Sequence, residues 1–114
     1  MEFEYKAITK NNLLILAFRG KIGRASKESL SKSLEETLND SANHVLILFK
    51  DVSQVELAAT RDLALLQQEI RKTKKLYLVG LNKDLKNMLL EKGIIREKEL
   101  RNSLEDALKT LDMN

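Results

Sequence analysis

Two apolar runs, Leu13-Leu14-Ile15-Leu16-Ala17-Phe18 and Val45-Leu46-Ile47-Leu48-Phe49, carry no polar residue to break them. Runs of this length without alternation predict strands covered on both faces. Ahead of them, Phe3 to Thr9 alternates loosely between apolar and polar positions, which predicts an edge strand with one wet face. Lys10-Asn11-Asn12 is turn chemistry, so the first two strands form a hairpin. Leu76-Tyr77-Leu78-Val79, closed by Gly80, predicts another strand. Ile94-Ile95 reads as a last short strand or a packed turn.

Between the strands the period becomes helical. Ser26 is placed as an N-cap, and Leu30, Leu34 and Leu38 at i, i+4 and i+8 mark one stripe of a helix from Lys27 to Asn39. Asn39-Asp40-Ser41 ends it. Ala59, Leu63, Leu66 and Ile70 predict a second helix, from about Ala58 to Thr73. Asn82 or Asp84 opens a third with Leu85, Met88 and Leu89, stopped by Gly93 as a C′ glycine. Ser103 followed by Asp106 resembles a capping box, and Leu104, Ala107, Leu108 and Leu111 form the stripe of a final helix. Alternating strands and helices imply right-handed crossovers and mainly parallel pairing, which the opening hairpin makes a mixed sheet. The expected class is one α/β domain over residues 1–114, with no proline, linker or repeat to divide it.

The segment Phe49 to Thr60 joins the central strand to the longest helix. Open α/β folds bind ligands and partners at such strand ends. Arg19 to Ser26, with two glycines, is a second loop after the second strand.

Charge alters this picture little. Twenty Lys and Arg stand against seventeen Asp and Glu, a net +3. The densest basic run, Arg71-Lys72-Thr73-Lys74-Lys75, closes a helix where cations suit the carbonyl end, with phosphate contact as the alternative. Three Phe and two Tyr are scattered and no recognition motif is present, so no nucleic-acid partner is expected. Absence of cysteine excludes disulfides, thiol redox chemistry and thiolate metal sites. The lone histidine, His44, opens an apolar strand and reads as a satisfied structural residue. With no Cys and one His, few nucleophile–base arrangements exist, and Gly20-x-x-Gly23 is too short for a phosphate loop. Neither an enzyme, a cofactor nor a metal is expected. No apolar run nears the ~20 residues of a membrane span, and Met1-Glu2-Phe3-Glu4 has no secretory character, so a cytoplasmic location without membrane insertion is expected.

In order and spacing, several segments together resemble the STAS domain, found in bacterial anti-sigma factor antagonists and in cytoplasmic parts of sulfate transporters. These are Leu14-Ile15-Leu16 leading to Gly20-Lys21-Ile22; the Leu30/Leu34/Leu38 stripe; and His44-Val45-Leu46-Ile47-Leu48 leading to Asp51-Val52-Ser53. The likeness continues through Leu76-Tyr77-Leu78-Val79-Gly80-Leu81 and Leu89-Leu90-Glu91-Lys92-Gly93-Ile94, and closes on Ser103-Leu104-Glu105-Asp106-Ala107-Leu108. The resemblance implies a mixed sheet with helices mainly on one face, and action by binding.

In the signalling members of that family, a kinase-like anti-sigma factor phosphorylates a Ser or Thr at the start of the second helix, typically within Asp-Ser-Ser-Gly, and the added charge breaks the complex. Aligned on Val52 and Leu63, this chain has Glu56-Leu57-Ala58-Ala59 there, and the acceptor position falls on Ala58, which has no hydroxyl. Gly23 stands where the family often has a supporting acid. Thr60 and Ser53 are the remaining candidate acceptors. Thr60 lies two residues on, about 200° around a helix, and Ser53 reads as a turn residue. Glu56 suits the positive end of the helix macrodipole or offers a fixed charge beside the partner surface. The resemblance places partner binding on Gly20, Lys21, Ile22, Gly23 and Arg24, with Glu56, Leu57, Ala58, Ala59, Thr60 and Arg61. It implies a serine kinase-type anti-sigma factor or other signalling protein as partner. Two alternatives remain: a STAS-like subunit of a membrane-associated assembly, such as a lipid-transport complex, contacting an ABC-type ATPase; and a GTP-binding module.

Overall fold

The structure, a computed structural model, describes residues 2–112. A five-stranded sheet has the order β1 (Glu4–Lys10), β2 (Leu13–Ile22), β3 (His44–Val55), β4 (Lys75–Val79) and β5 (Leu100–Arg101). β1 is antiparallel to β2, and the other pairs are parallel. Asn11, at φ 56°, takes the left-handed turn of the opening hairpin. α1 (Lys27–Asn39), α2 (Thr60–Thr73) and α3 (Lys83–Glu91) are the crossovers, and α4 (Leu104–Asp112) follows β5. Each crossover steps one strand in the same direction. Right-handed connections therefore place α1, α2 and α3 on one face.

Side-chain alternation divides the strands between two cores. Leu14, Leu16 and Phe18 of β2, Val45, Ile47 and Phe49 of β3, and Leu76 and Leu78 of β4 pack with Leu30, Leu63, Leu66, Ile70 and Leu89 of the helices. Phe3, Phe18 and Phe49 meet edge-to-face at centroid distances of 5.0 and 5.7 Å. Leu13, Leu46, Tyr77 and Val79 point to the opposite face, where Ala107 and Leu111 of α4 cover them. The mixed sheet, the edge position of β1 and the doubly covered central strands agree with the sequence pattern.

Several boundaries differ from expectation. β2 runs to Ile22 and β3 to Val55, so much of both expected loops is strand. The register passes from Ala17↔Leu48 to Arg19↔Asp51 and from Gly20↔Val52 to Lys21↔Gln54. β3 thus carries extra residues at two bulges, and these break the alternation that would have marked a strand. Before α2, Leu57–Ala59 form a 3₁₀ turn, and the α-helix starts at Thr60 rather than Ala58. Leu38 is 43% exposed, whereas Leu30, Ser33 and Thr37 are buried. At 100° per residue, i+8 lies 80° off the starting direction, so the inward face passes through Ser33 and Thr37 instead. Their hydroxyls donate to the carbonyls of Leu30 and Ser33 at 2.7 Å, which permits their burial. Leu104 and Leu108 likewise lie outside the Ala107–Leu111 face. Ile94-Ile95 is a packed turn, both residues buried, and the last strand is Leu100–Arg101. Asn82 is the cap of α3, accepting from the Leu85 amide at 2.8 Å. Gly93 takes φ +70°, as the C′ reading requires.

Gly80 (φ +87°) packs directly on the first bulge of β3. A Cβ there would meet the Lys50 backbone nitrogen at 2.7 Å. Gly80→Ala is therefore expected to cost about 1–3 kcal/mol from the backbone conformation alone, with the steric contact adding to it. Urea unfolding of the variant measures this.

Candidate functional site

The ends of β2 and β3 and the start of α2 form one surface. The Glu56 amide donates to the Ile22 carbonyl at 2.9 Å, continuing the β2–β3 ladder by one bond. The chain then turns through Leu57–Ala59 into α2, with Ala59 fully buried as the anchor. Thr60 Oγ1 donates to the Leu57 carbonyl at 2.7 Å, which stitches this turn. Facing it, the Gly23 amide donates to Ser26 Oγ at 3.0 Å, and the Ser26 amide donates to the Gly23 carbonyl at 2.9 Å. The Ser26 hydroxyl donates in turn to the Lys21 carbonyl at 3.3 Å. Ser26 was expected to cap α1, yet its side chain makes no cap bond; it closes the turn behind it instead.

Glu56 connects the two halves. Its carboxylate lies over Gly23, where a Cβ would come within 1.9 Å of Oε1, and its Oε2 is 3.5 Å from Lys21 Nζ. That ion pair is half exposed and contributes little stability. Its consequence is placement: Gly23 has no side chain, so the carboxylate of Glu56 occupies the space beside the turn. A cleft of about 340 Å³ adjoins this point, lined by Phe3, Lys21, Gly23, Ser26, Ser29 and Glu56 among others.

The expected partner-binding residues divide by exposure. Gly20, Ile22, Gly23 and Ala59 are buried and support the surface from beneath. Lys21, Arg24, Leu57, Ala58 and Arg61 are exposed, and Glu56 and Thr60 are half-buried. Leu57 is 71% exposed, a large apolar side chain at the tip of the turn. One helical turn beyond Arg61, Leu65 is also exposed, on the same side of α2 as Arg61 by i, i+4 spacing. Gly20 takes φ +89°, a conformation that favours glycine. Ser53 is exposed at the second bulge of β3, not in a loop. The roles of Ser26 and of the Glu56–Gly23 contact were not legible in the sequence, because each joins residues through the fold of two turns.

His44 stands apart from this surface, at the start of β3. Its Nδ1 is 3.3 Å from Tyr77 Oη, and the two rings stack at 5.9 Å. Burial, and then the Lys75 cation, hold its pKa below the ordinary 6.5. The folded state therefore binds this proton less readily than the unfolded chain. Stability is expected to fall as pH drops below 6.5 toward the folded midpoint. His44→Gln should flatten that part of the profile, and NMR titration of the imidazole should give a midpoint under 6.5. Among the described residues no group of His, Asp and Glu is arranged to hold a metal ion, and no helix is long and apolar enough to cross a membrane.

A small mixed sheet with three crossover helices on one face, and a compact surface at the β2, β3 and α2 junction, is the architecture of a STAS-type domain. The sequence profile described as "STAS domain" matches residues 4–107, and the chain belongs to that family. Among solved structures, an anti-sigma factor antagonist from Mycobacterium paratuberculosis superposes with a TM-score of 0.81 at 15% identity, over 97% of this chain and 95% of that one. The anti-sigma factor antagonist SpoIIAA, in its unphosphorylated form, gives 0.74 at 10% identity, over 99% and 98%. The murine Slc26a9 anion transporter in its inward-facing state gives 0.77 at 20% identity, over 90% of this chain and 18% of the transporter. At these identities the superpositions establish the fold. No curated protein matches the chain by sequence.

Proposed function

We propose that this chain is a non-enzymatic protein–protein interaction module that acts as an anti-sigma factor antagonist, without a phosphorylation switch at position 58. The observation that carries it is the exposed Leu57-Ala58 tip at the start of α2, which presents methyl groups where a hydroxyl acceptor is expected. The partner is a serine kinase-type anti-sigma factor. It packs on Leu57, Ala58 and Arg61 and on Lys21 and Arg24 beside them. Glu56 supplies a fixed carboxylate in the space that Gly23 leaves open. Thr60 is a weak substitute for the acceptor, since its hydroxyl donates to the Leu57 carbonyl and would have to give up that bond. Incubating the protein with the kinase-type anti-sigma factors of its host tests this: binding at micromolar concentration, without phosphate incorporation at residues 56–61, is the expected result. No binding to any of them ends the regulatory reading.

The same apolar tip supports a second reading, a constitutive subunit of a membrane-associated complex that contacts an ABC-type ATPase. A surface without a phosphate acceptor suits an interface that does not cycle. Affinity purification from the host separates the two readings, since a kinase favours the first and an ABC-type ATPase the second.

A further inference from the structure

β2 to β5 run parallel, so the strand starts lie at the end of the sheet opposite the β2, β3 and α2 surface. There the basic residues gather. A groove of about 370 Å³ is lined by Arg71, Lys74, Lys75, Arg96, Lys98 and Arg101, against the single carboxylate of Glu99. That carboxylate is already bonded in bidentate fashion to Arg71, at 2.6 and 2.7 Å. Lys74 Nζ donates to the backbone carbonyls of Asp40 and Ala42. Arg101 donates to the carbonyls of Lys98 and Leu100. Among the described side chains, no carboxylate lies within 4.0 Å of the charged nitrogens of Lys75, Arg96 or Lys98, although the Arg96 backbone amide donates to Glu99 Oε1 at 3.2 Å. Cations held this close without a counter-charge create a positive field that an anionic ligand would neutralise.

The residues lining the groove narrow the choice of anion. β5 pairs only with Leu78 and Val79; beside Lys75–Tyr77 the Glu97–Glu99 turn takes its place, and the groove lies between that turn and β4. A single-stranded nucleic acid would be expected to find an aromatic stacking platform. The aromatic ring lining the groove, Tyr77, is 4% exposed, with His44 stacked on it and Arg101 over the ring at 5.1 Å. A surface that inserts into an anionic membrane would carry exposed apolar residues beside the cations. Among the described residues, the exposed large hydrophobics all lie outside the groove.

We propose that the groove between β4 and the Glu97–Glu99 turn binds a carboxylate-rich segment of a protein partner, with Lys75, Arg96 and Lys98 as its free cations. This surface is separate from the α2 tip, so the domain can hold two partners at once.

The test is NMR titration of the isotope-labelled protein with an N-acetylated, C-amidated hexaglutamate peptide. Saturable shifts are expected at Lys75–Tyr77 and Arg96–Arg101, weakening as ionic strength rises. Lys75→Glu combined with Lys98→Glu should lower affinity at least about tenfold, or ~1.4 kcal/mol. Both residues are exposed, so the fold should survive, and Arg96→Glu provides a second variant. The proposal is overturned if no saturable shift occurs, if shifts centre elsewhere, or if the charge-reversed variants bind as well as the parent. It is also overturned if inorganic phosphate, oligothymidylate or anionic vesicles displace the peptide at equal charge concentration. Those results would assign the groove to free anions, nucleic acid or a membrane.

Discussion

Arg71→Ala is expected to destabilise the fold by about 3–5 kcal/mol, more than any single surface change. The guanidinium and the Glu99 carboxylate are only 12% and 6% exposed. Arg71 also donates to the Ile94 carbonyl at 3.0 Å and to Gln67 Oε1 at 3.4 Å. It thereby ties α2 to the segment between α3 and β5. Truncating it leaves Glu99 as a buried charge without its partner, and the Ile94 carbonyl without its donor. Gln67 Nε2 is already buried without a hydrogen-bond partner among the described residues, so the network has little slack. The double variant Arg71→Met, Glu99→Leu removes both charges, keeps similar volume, and should recover much of the loss. Urea unfolding of Arg71→Met, of Glu99→Leu and of the double variant forms the cycle. Equal loss in the double variant and in Arg71→Ala would show that packing, not charge pairing, sets the cost.

Ala58→Asp is expected to reduce binding of the proposed anti-sigma factor partner by more than about tenfold, or ~1.4 kcal/mol, while leaving the fold intact. Ala58 is exposed at the tip of the turn before α2, so folding asks nothing of its side chain. A carboxylate at the N-terminal end of a helix stabilises it by about 0.3–1 kcal/mol. At an apolar interface the same charge must be desolvated without a partner. Stability and binding should therefore move in opposite directions, which separates this outcome from simple misfolding. Calorimetric titration and thermal unfolding read the two quantities. Ala58→Ser is the complementary variant: it should bind as the parent does and restore an acceptor for a kinase-type partner. Unchanged affinity in the aspartate variant would move the interface away from the α2 tip.

The element order and the hairpin were readable from periodicity, and so was the strand end at which the candidate site is placed. Short unbroken apolar runs, Asn11 in its turn and Gly93 after its helix each express a local rule that needs no distant partner. The length of β3 was hidden because its bulges at Phe49-Lys50 and Ser53 interrupt the alternation, while Val52 and Val55 remain buried. β5 was hidden because two residues carry no period, and only Leu78 and Val79 across the gap define them as a strand. The stripe assigned to α1 failed at Leu38 because inward positions were assumed to be apolar. Ser33 and Thr37 are inside with their hydroxyls bonded to the helix's own carbonyls.

The sequence by itself determined the α/β class, the family resemblance and the absence of a hydroxyl at position 58, since these depend on local pattern and on residue identity. Tertiary structure alone decided where charges meet. It set the Glu56 carboxylate in the space over Gly23, paired Arg71 with Glu99 across 28 positions of chain, and gathered Lys75, Arg96 and Lys98 along one groove. Periodicity reports which face of an element turns inward, and it carries no information about which side chains from different elements will share that space.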